Sequence, residues 1–287
     1  LTIEIIDTHT HVISPDRMAH PLAPLGGKQS DWSSERPTPH KALIAAMDAA
    51  GVHRAIVVQA STAYGHDNSY AAEAIAAHPG RFAGVFSVDV LAPDACERIR
   101  HWHGRGFAGF RLFTTGTTMP GQQTWLDDPR SFPAWALAQE LGLPVCLQMT
   151  AKGIPLLREV MNRFPRVTML LDHLARPDLS DGPPYRNATP LWSLADYPQV
   201  ILKLTSRALD LSEVGSSSSA ALLEVLLRKF GAKRIMWGSN FPAAEGTLAE
   251  LLTRSLGALD HLGADDRAEI LGGTARRVYP GLAPFHG

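Results

Sequence analysis

The stretch Ile3-Glu4-Ile5-Ile6-Asp7-Thr8-His9-Thr10-His11-Val12 is an apolar run that ends in two histidines one residue apart. In a β-strand, side chains at i and i+2 point to the same side, so His9 and His11 are expected to project together from the strand's C-terminal end. Such a pair can hold a divalent metal or grip an oxygen-rich substrate. Two surface histidines at a strand end have the same spacing, so the pair gains meaning only if comparable residues recur elsewhere.

They do recur. Further apolar runs are followed by Ser61, Tyr64 and His66, by Ser87 and Asp89, by Arg111, by Gln148, by Asp172-His173 with Arg176, by Lys203, Thr205 and Arg207, and by Trp237-Gly238-Ser239-Asn240. One polar strand end is explained by water. Imidazole, guanidinium, amide and ammonium groups at successive strand ends are better explained by one shared mouth.

The elements that must position these residues follow a repeated grammar. A helical pattern closes at Gly or Pro and a short Val/Ile/Leu-rich run follows. Strands are predicted at 3–7, 55–59, 82–88, 109–112, 145–149, 168–171, 200–204 and 235–237. Near-continuous apolar runs are the mark of parallel strands covered on both faces. Helices are predicted after Thr38 and over about 68–78, 93–104, 132–142, 153–164, 219–230, 247–260 and 265–278. Thr38 is expected to cap the first, with Pro39 opening it, Leu43, Ile44 and Met47 on one face and Gly51 at its end. About eight β/α units in this length predict an α/β protein, a (β/α)8 TIM barrel, as one domain over 1–287. A doubly wound sheet is the runner-up, but the Gly-rich phosphate loop that usually follows its first strand is missing. Residues 13–38, with His20 and Trp32, form a long loop on the functional face and read as a lid. A second long loop covers 175–190, and Ser216–Ser219 leads into the next helix.

The 287 residues carry a formal net charge of −1, which gives no electrostatic case for nucleic acid or an anionic membrane. Cys96 and Cys146, the only cysteines, are expected to be free thiols in a reducing cytoplasm. No stretch has the length of a membrane span and no signal peptide is evident. The expected partner is a small molecule, and a homo-oligomer is compatible with the sequence.

Asp7-Thr-His-Thr-His11, Ser61-x-x-Tyr64-Gly65-x-Asp67-Asn68, Gly106-Phe-Ala-Gly109-Phe-Arg111, Asp172-His173-x-x-Arg176-Pro177-Asp178, Lys203-Leu204 and Trp237-Gly-Ser-x-Phe-Pro242 resemble the amidohydrolase superfamily. The resemblance spans nearly the whole chain. It is narrowest to the branch containing pyrone-dicarboxylate lactonase, sulfomuconolactone hydrolase and fuconolactonase. It implies that His9 and His11 bind metal or polarise a lactone carbonyl, that His173 lines the same centre, and that an eighth-strand acid is the general base. Arg111, Arg176 and Arg207 would hold carboxylate or sulfonate groups, for which the guanidinium fork is suited. Lys203, Ser61, Tyr64, His66 and Gln148 would complete the substrate wall.

Two positions depart from that pattern. Asn240 stands where the resemblance calls for Asp, and an amide cannot take a proton at neutral pH. The expectation is therefore an engineered inactive variant of a hydrolase, with a natural pseudoenzyme or a different eighth-strand role as the alternatives. Gln148 stands on the fifth strand where metal-dependent relatives carry His, which argues against a binuclear centre. A single zinc or manganese ion on His9 and His11, and a metal-free reaction, both stay open. Three functions compete: hydrolysis of a small anionic ring lactone, metal-dependent decarboxylation of an aromatic or unsaturated acid, and a non-catalytic ligand-binding barrel. Decarboxylases place histidines on two middle strands, and only His173 is available here.

Overall fold

The structure, a computed structural model, describes residues 3–116, 118–119 and 121–285. Eight strands follow one another in a single parallel sheet: β1 (Ile6–Thr10), β2 (Arg54–Val58), β3 (Phe82–Ser87), β4 (Phe107–Phe113), β5 (Val145–Gln148), β6 (Met169–Leu171), β7 (Val200–Thr205) and β8 (Ile235–Gly238). Closure comes where β8 meets β1. Thr8 Oγ1 donates to the Trp237 carbonyl at 2.7 Å, Asn240 N donates to the His9 carbonyl at 2.9 Å, and His11 N donates to the Phe241 carbonyl at 2.9 Å. The fold is the predicted (β/α)8 barrel.

Alternation explains both the plug and the mouth. Val85, Cys146 and Leu170 point inward, where they pack with Ile6, Ile56, Val58 and Met236 onto Tyr279. Ser87, Gln148 and Asp172 follow them by two residues and continue the same inward face. An apolar floor thus gives way to a polar mouth at the C-terminal ends. The outward residues, among them Phe86, Phe110, Leu147, Leu202 and Trp237, pack beneath the helices.

Two predicted boundaries are corrected. The first strand runs to Thr10, so His9 lies inside it and His11 just beyond, rather than both past its end. Thr38 does not cap the helix His40–Ala50: Pro39 occupies the cap position, extended at φ −62, while Gly51 ends the helix at φ 74 as expected. Leu43 and Met47 on that helix are fully buried. The serine run leads into the helix Ser219–Phe230, with the Ser218 hydroxyl accepting from Ala221 N. The long first loop contains a short helix, Asp31–Glu35. Among the described residues no helix is long and apolar enough to cross a membrane.

Candidate active site

Asp172 is the centre of the charged network beneath the mouth. It sits fully buried one residue past β6. Arg111 Nε donates to its Oδ2 at 2.7 Å, and Lys203 Nζ lies 3.2 Å from its Oδ1. Burial alone would raise this carboxyl. Lys203 and Arg111 instead hold it well below the usual carboxylate range. Arg111 also donates to Gln148 Oε1 at 3.1 Å. His9 Nδ1 lies 3.5 Å from Asp172 and 3.4 Å from Lys203 Nζ, while its Nε2 is buried without a partner.

Three imidazoles meet above this network. The His9 ring centre lies 5.0 Å from that of His11 and 4.8 Å from that of His173. Burial drives His9 and His173 well below the ordinary histidine range and His11 down to about 3, so all three are neutral near pH 7. His11 Nδ1 contacts the Val58 carbonyl at 2.7 Å. A carbonyl only accepts, so Nδ1 carries the proton and the Nε2 lone pair is left free. His173 Nδ1 lies 2.7 Å from the Thr205 hydroxyl, which can donate or accept. Two residues before His9 on β1, Asp7 Oδ1 accepts from His9 N and Ser239 N, and burial pushes its carboxyl up to about 6.

A cavity of about 550 Å³ opens over the His11 and His173 rings, while the fully buried His9 is not among its lining residues. His11, Ser61, Arg111, Gln148, His173, Arg176, Arg207 and Asn240 all line it. The first loop supplies the opposite wall, including Lys28, Asp31 and Trp32. Trp32 stacks on His11 with ring centres 5.1 Å apart. Four cationic side chains (Lys28, Arg111, Arg176 and Arg207) face one carboxylate, Asp31, among the described lining residues. Arg176 and Arg207 form no ion pair with a described residue, and the Arg176 Nε is buried without a partner. Burial and the neighbouring Arg207 and Arg111 pull Arg176 down to about 10, still fully charged at neutral pH.

Backbone strain gathers at the same place. Seven described non-glycine residues have positive φ, and five of them belong to the mouth: His173 (54°), Leu174 (57°), Ala175 (57°), Arg176 (49°) and Asn240 (61°). Each of the four from His173 to Arg176 costs roughly 1–2 kcal/mol relative to right-handed backbone, whereas asparagine enters this region more readily.

Three expected wall residues are placed elsewhere. Lys203 is fully buried beneath the cavity, with Asp172 and His9 as its neighbours. The Tyr64 hydroxyl accepts from Ser14 N at 2.8 Å and so ties down the first loop. His66 bonds the Ser87 hydroxyl at 2.8 Å and lines a separate small cavity with Asp89 and Trp125. Sequence reasoning assigned no role to Asp172, Lys28 or Asp31. The run of basic residues at the strand ends required a buried counter-charge, and that was the available signal for Asp172.

The donor set does not match a complete metal centre. Catalytic zinc takes three protein ligands. Here His9 and His11 offer unclaimed Nε2 atoms, His173 is not placed with them to complete a set of three, Asp172 is engaged by Arg111 and Lys203, and position 240 is an amide. No three His, Cys, Asp or Glu side chains among the described residues are placed to hold a metal ion.

A parallel (β/α)8 barrel with imidazoles and unpaired guanidiniums converging at its C-terminal mouth defines an enzyme-type barrel. The family model described as Amidohydrolase matches residues 6–281, and the chain belongs to that family. An L-fucono-1,5-lactonase from Burkholderia ambifaria is 29% identical over 243 residues, 80% of each chain. A structure from Pseudomonas putida named as a 2-pyrone-4,6-dicarboxylic acid hydrolase superposes with a TM-score of 0.77 at 22% identity, covering 99% of this chain and all of that one. An amidohydrolase from Burkholderia multivorans with bound zinc gives 0.75 at 23% identity, over 96% of this chain and 99% of that one. A 2,6-dihydroxybenzoate decarboxylase from Rhizobium gives 0.69 at 16% identity, over 97% and 99%.

Proposed function

We propose that this chain opens a small anionic ring lactone by attack of water on the carbonyl. The observation that carries the reading is the convergence of His173 with the unpaired Arg176 and Arg207 on one cavity. The lactonase relative supplies the ring class. Arg176 and Arg207 hold the substrate's carboxylate or sulfonate, and Arg111 is reserved mainly for Asp172. His173 polarises the carbonyl: with Nδ1 accepting from Thr205, its Nε2–H donates to the oxygen on which charge develops. His11 Nε2 accepts a proton from the attacking water and returns it to the ring oxygen as the acyl C–O bond breaks, leaving an open-chain hydroxy acid. A base whose pKa lies near 3 does this poorly, and Asn240, where an acid would sit, does not do it at all. The chain as it stands is accordingly a slow hydrolase. A single divalent ion between His9 and His11 would supply added carbonyl polarisation, and with only two protein donors it is held weakly. We place the protein in the cytoplasm as one catalytic domain.

Decarboxylation is the second reading, favoured only by the shared fold with the Rhizobium enzyme. Assaying the protein on sulfonated, carboxylated and sugar lactones by proton release, and on dihydroxybenzoates by CO2 release, separates the two. Lactone turnover without CO2 is the expected result. CO2 release with every lactone left intact would transfer the assignment to the lyase.

A further inference from the structure

The chain leaves β6 through an unusual segment. Four consecutive residues, His173 to Arg176, lie in the left-handed region, and none is glycine or asparagine. Isolated left-handed residues are common at turns, whereas a run of four L-residues is held only by surroundings that over-determine it. Those surroundings can be named. Asp172 is clamped by Arg111 and Lys203 at the turn's entry. His173 is tied to Thr205. Leu174 and Ala175 are both 0% exposed and packed in the main core. Arg176 N donates to the His173 carbonyl at 3.0 Å and closes the turn.

In so tight a turn, side chains three apart lie over one another. His173 and Arg176 are three apart, and both line the cavity. The two residues between them turn into the core. A right-handed turn from the same strand end would wind the opposite way and carry Arg176 along a different path. We infer that the left-handed turn 172–176 is a specificity device: Leu174 and Ala175, as positioning residues, fix the spacing between the carbonyl-facing His173 and the anion-binding Arg176. That spacing selects substrates whose anionic group stands at one distance from the reacting carbonyl. The inference rests on the anion-binding role proposed above.

Ala175→Gly is the informative variant. Glycine adopts positive φ without penalty, so relief of strain offsets the lost methyl and the added freedom of the unfolded chain. The thermal midpoint should therefore hold or rise. Because the turn is no longer forced into one geometry, affinity for a small polyanion should fall. Citrate is the probe, titrated by calorimetry into the full chain. The expected result is citrate binding weakened about five- to tenfold by lost preorganisation, at an unchanged midpoint. Leu174→Met, which conserves core volume, should weaken binding in the same direction and serves if the glycine variant misfolds. Arg176→Met separates the two levels of the claim. If it leaves citrate affinity unchanged, the anion-site reading fails and the inference with it. If Arg176→Met weakens binding while neither turn variant does, the anion site stands and the positioning role is overturned. Affinity and midpoint falling together in Ala175→Gly would show ordinary packing and overturn it equally.

Discussion

The two ends of this barrel treat charge in opposite ways. At the foot, Glu4 accepts from Arg54, from Arg276 Nε at 2.7 Å and from Arg276 Nη2, and one further nitrogen of each guanidinium reaches a carbonyl, Pro284 for Arg54 and Leu282 for Arg276, with Arg54 Nε left over among the described residues. At the mouth, the buried carboxylate of Asp172 faces Arg111 and Lys203, while Arg176 and Arg207 line the cavity without an ion pair to a described residue. The backbone differs in the same sense: five strained non-glycine residues sit at the mouth, and none lies among the residues of the foot. A charge network that closes on itself holds chain ends together. One left open, on strained backbone, is set to receive something from outside.

The largest stability effect should come from within the mouth. Lys203→Met strips Asp172 of a cation that is itself fully buried. Breaking a buried pair from one side should cost about 3–5 kcal/mol, read from urea unfolding. A loss below about 1 kcal/mol, the range of exposed pairs, would mean that Arg111 alone neutralises Asp172.

Arg176→Met should sharpen the contrast. Removing one charge-assisted contact should cost about 1.5–3 kcal/mol of binding to an anionic ligand, with the unfolding midpoint held. The matching variant at the foot, Glu4→Gln, should do the reverse. It should lose about 1–2 kcal/mol of stability, because Arg54 and Arg276 lose a charged acceptor, and leave kcat and KM unchanged. Kinetic effects from Glu4→Gln, or stability loss from Arg176→Met, would dissolve the distinction between the two ends.

The smallest expected effect concerns metal. With two protein nitrogens available, elemental analysis should find at most one equivalent of zinc or manganese, and dialysis against a chelator should remove it without unfolding the chain. Two tightly held equivalents would contradict the geometry of His9, His11 and Asn240.

The barrel was legible because strands buried on both faces announce themselves as apolar runs; the strand predicted at 200–204 and the observed Val200–Thr205 are nearly the same. That His11, Arg111, Gln148, His173, Arg176 and Asn240 face one cavity was legible in part from their places at strand ends. Their depth was not. Lys203 and Arg176 are both basic residues near strand ends, yet one is a buried counter-ion and the other faces the cavity. Inward parity places Lys203 inside, but only packing shows that Asp172 waits there. His66 was misplaced because the short helix Ser61–Tyr64 intervenes and carries it toward β3. The left-handed turn had no signal at all, since its residues are not those that favour positive φ. Tertiary contacts impose it.

On the proposed reading, water attacks a lactone at this mouth and lacks a strong base because position 240 is Asn. Asn240→Asp tests it directly, since the two side chains are nearly isosteric and the pocket keeps its shape. The measurement is kcat for lactone hydrolysis in both forms across pH 4–9, starting with carboxylated and sulfonated ring lactones. The account predicts a rate higher by about 10²–10⁴ in the Asp form, rising with pH as the new carboxyl loses its proton and becomes a base. Equal rates in the two forms, with the same pH profile, would show that position 240 is not where the base belongs.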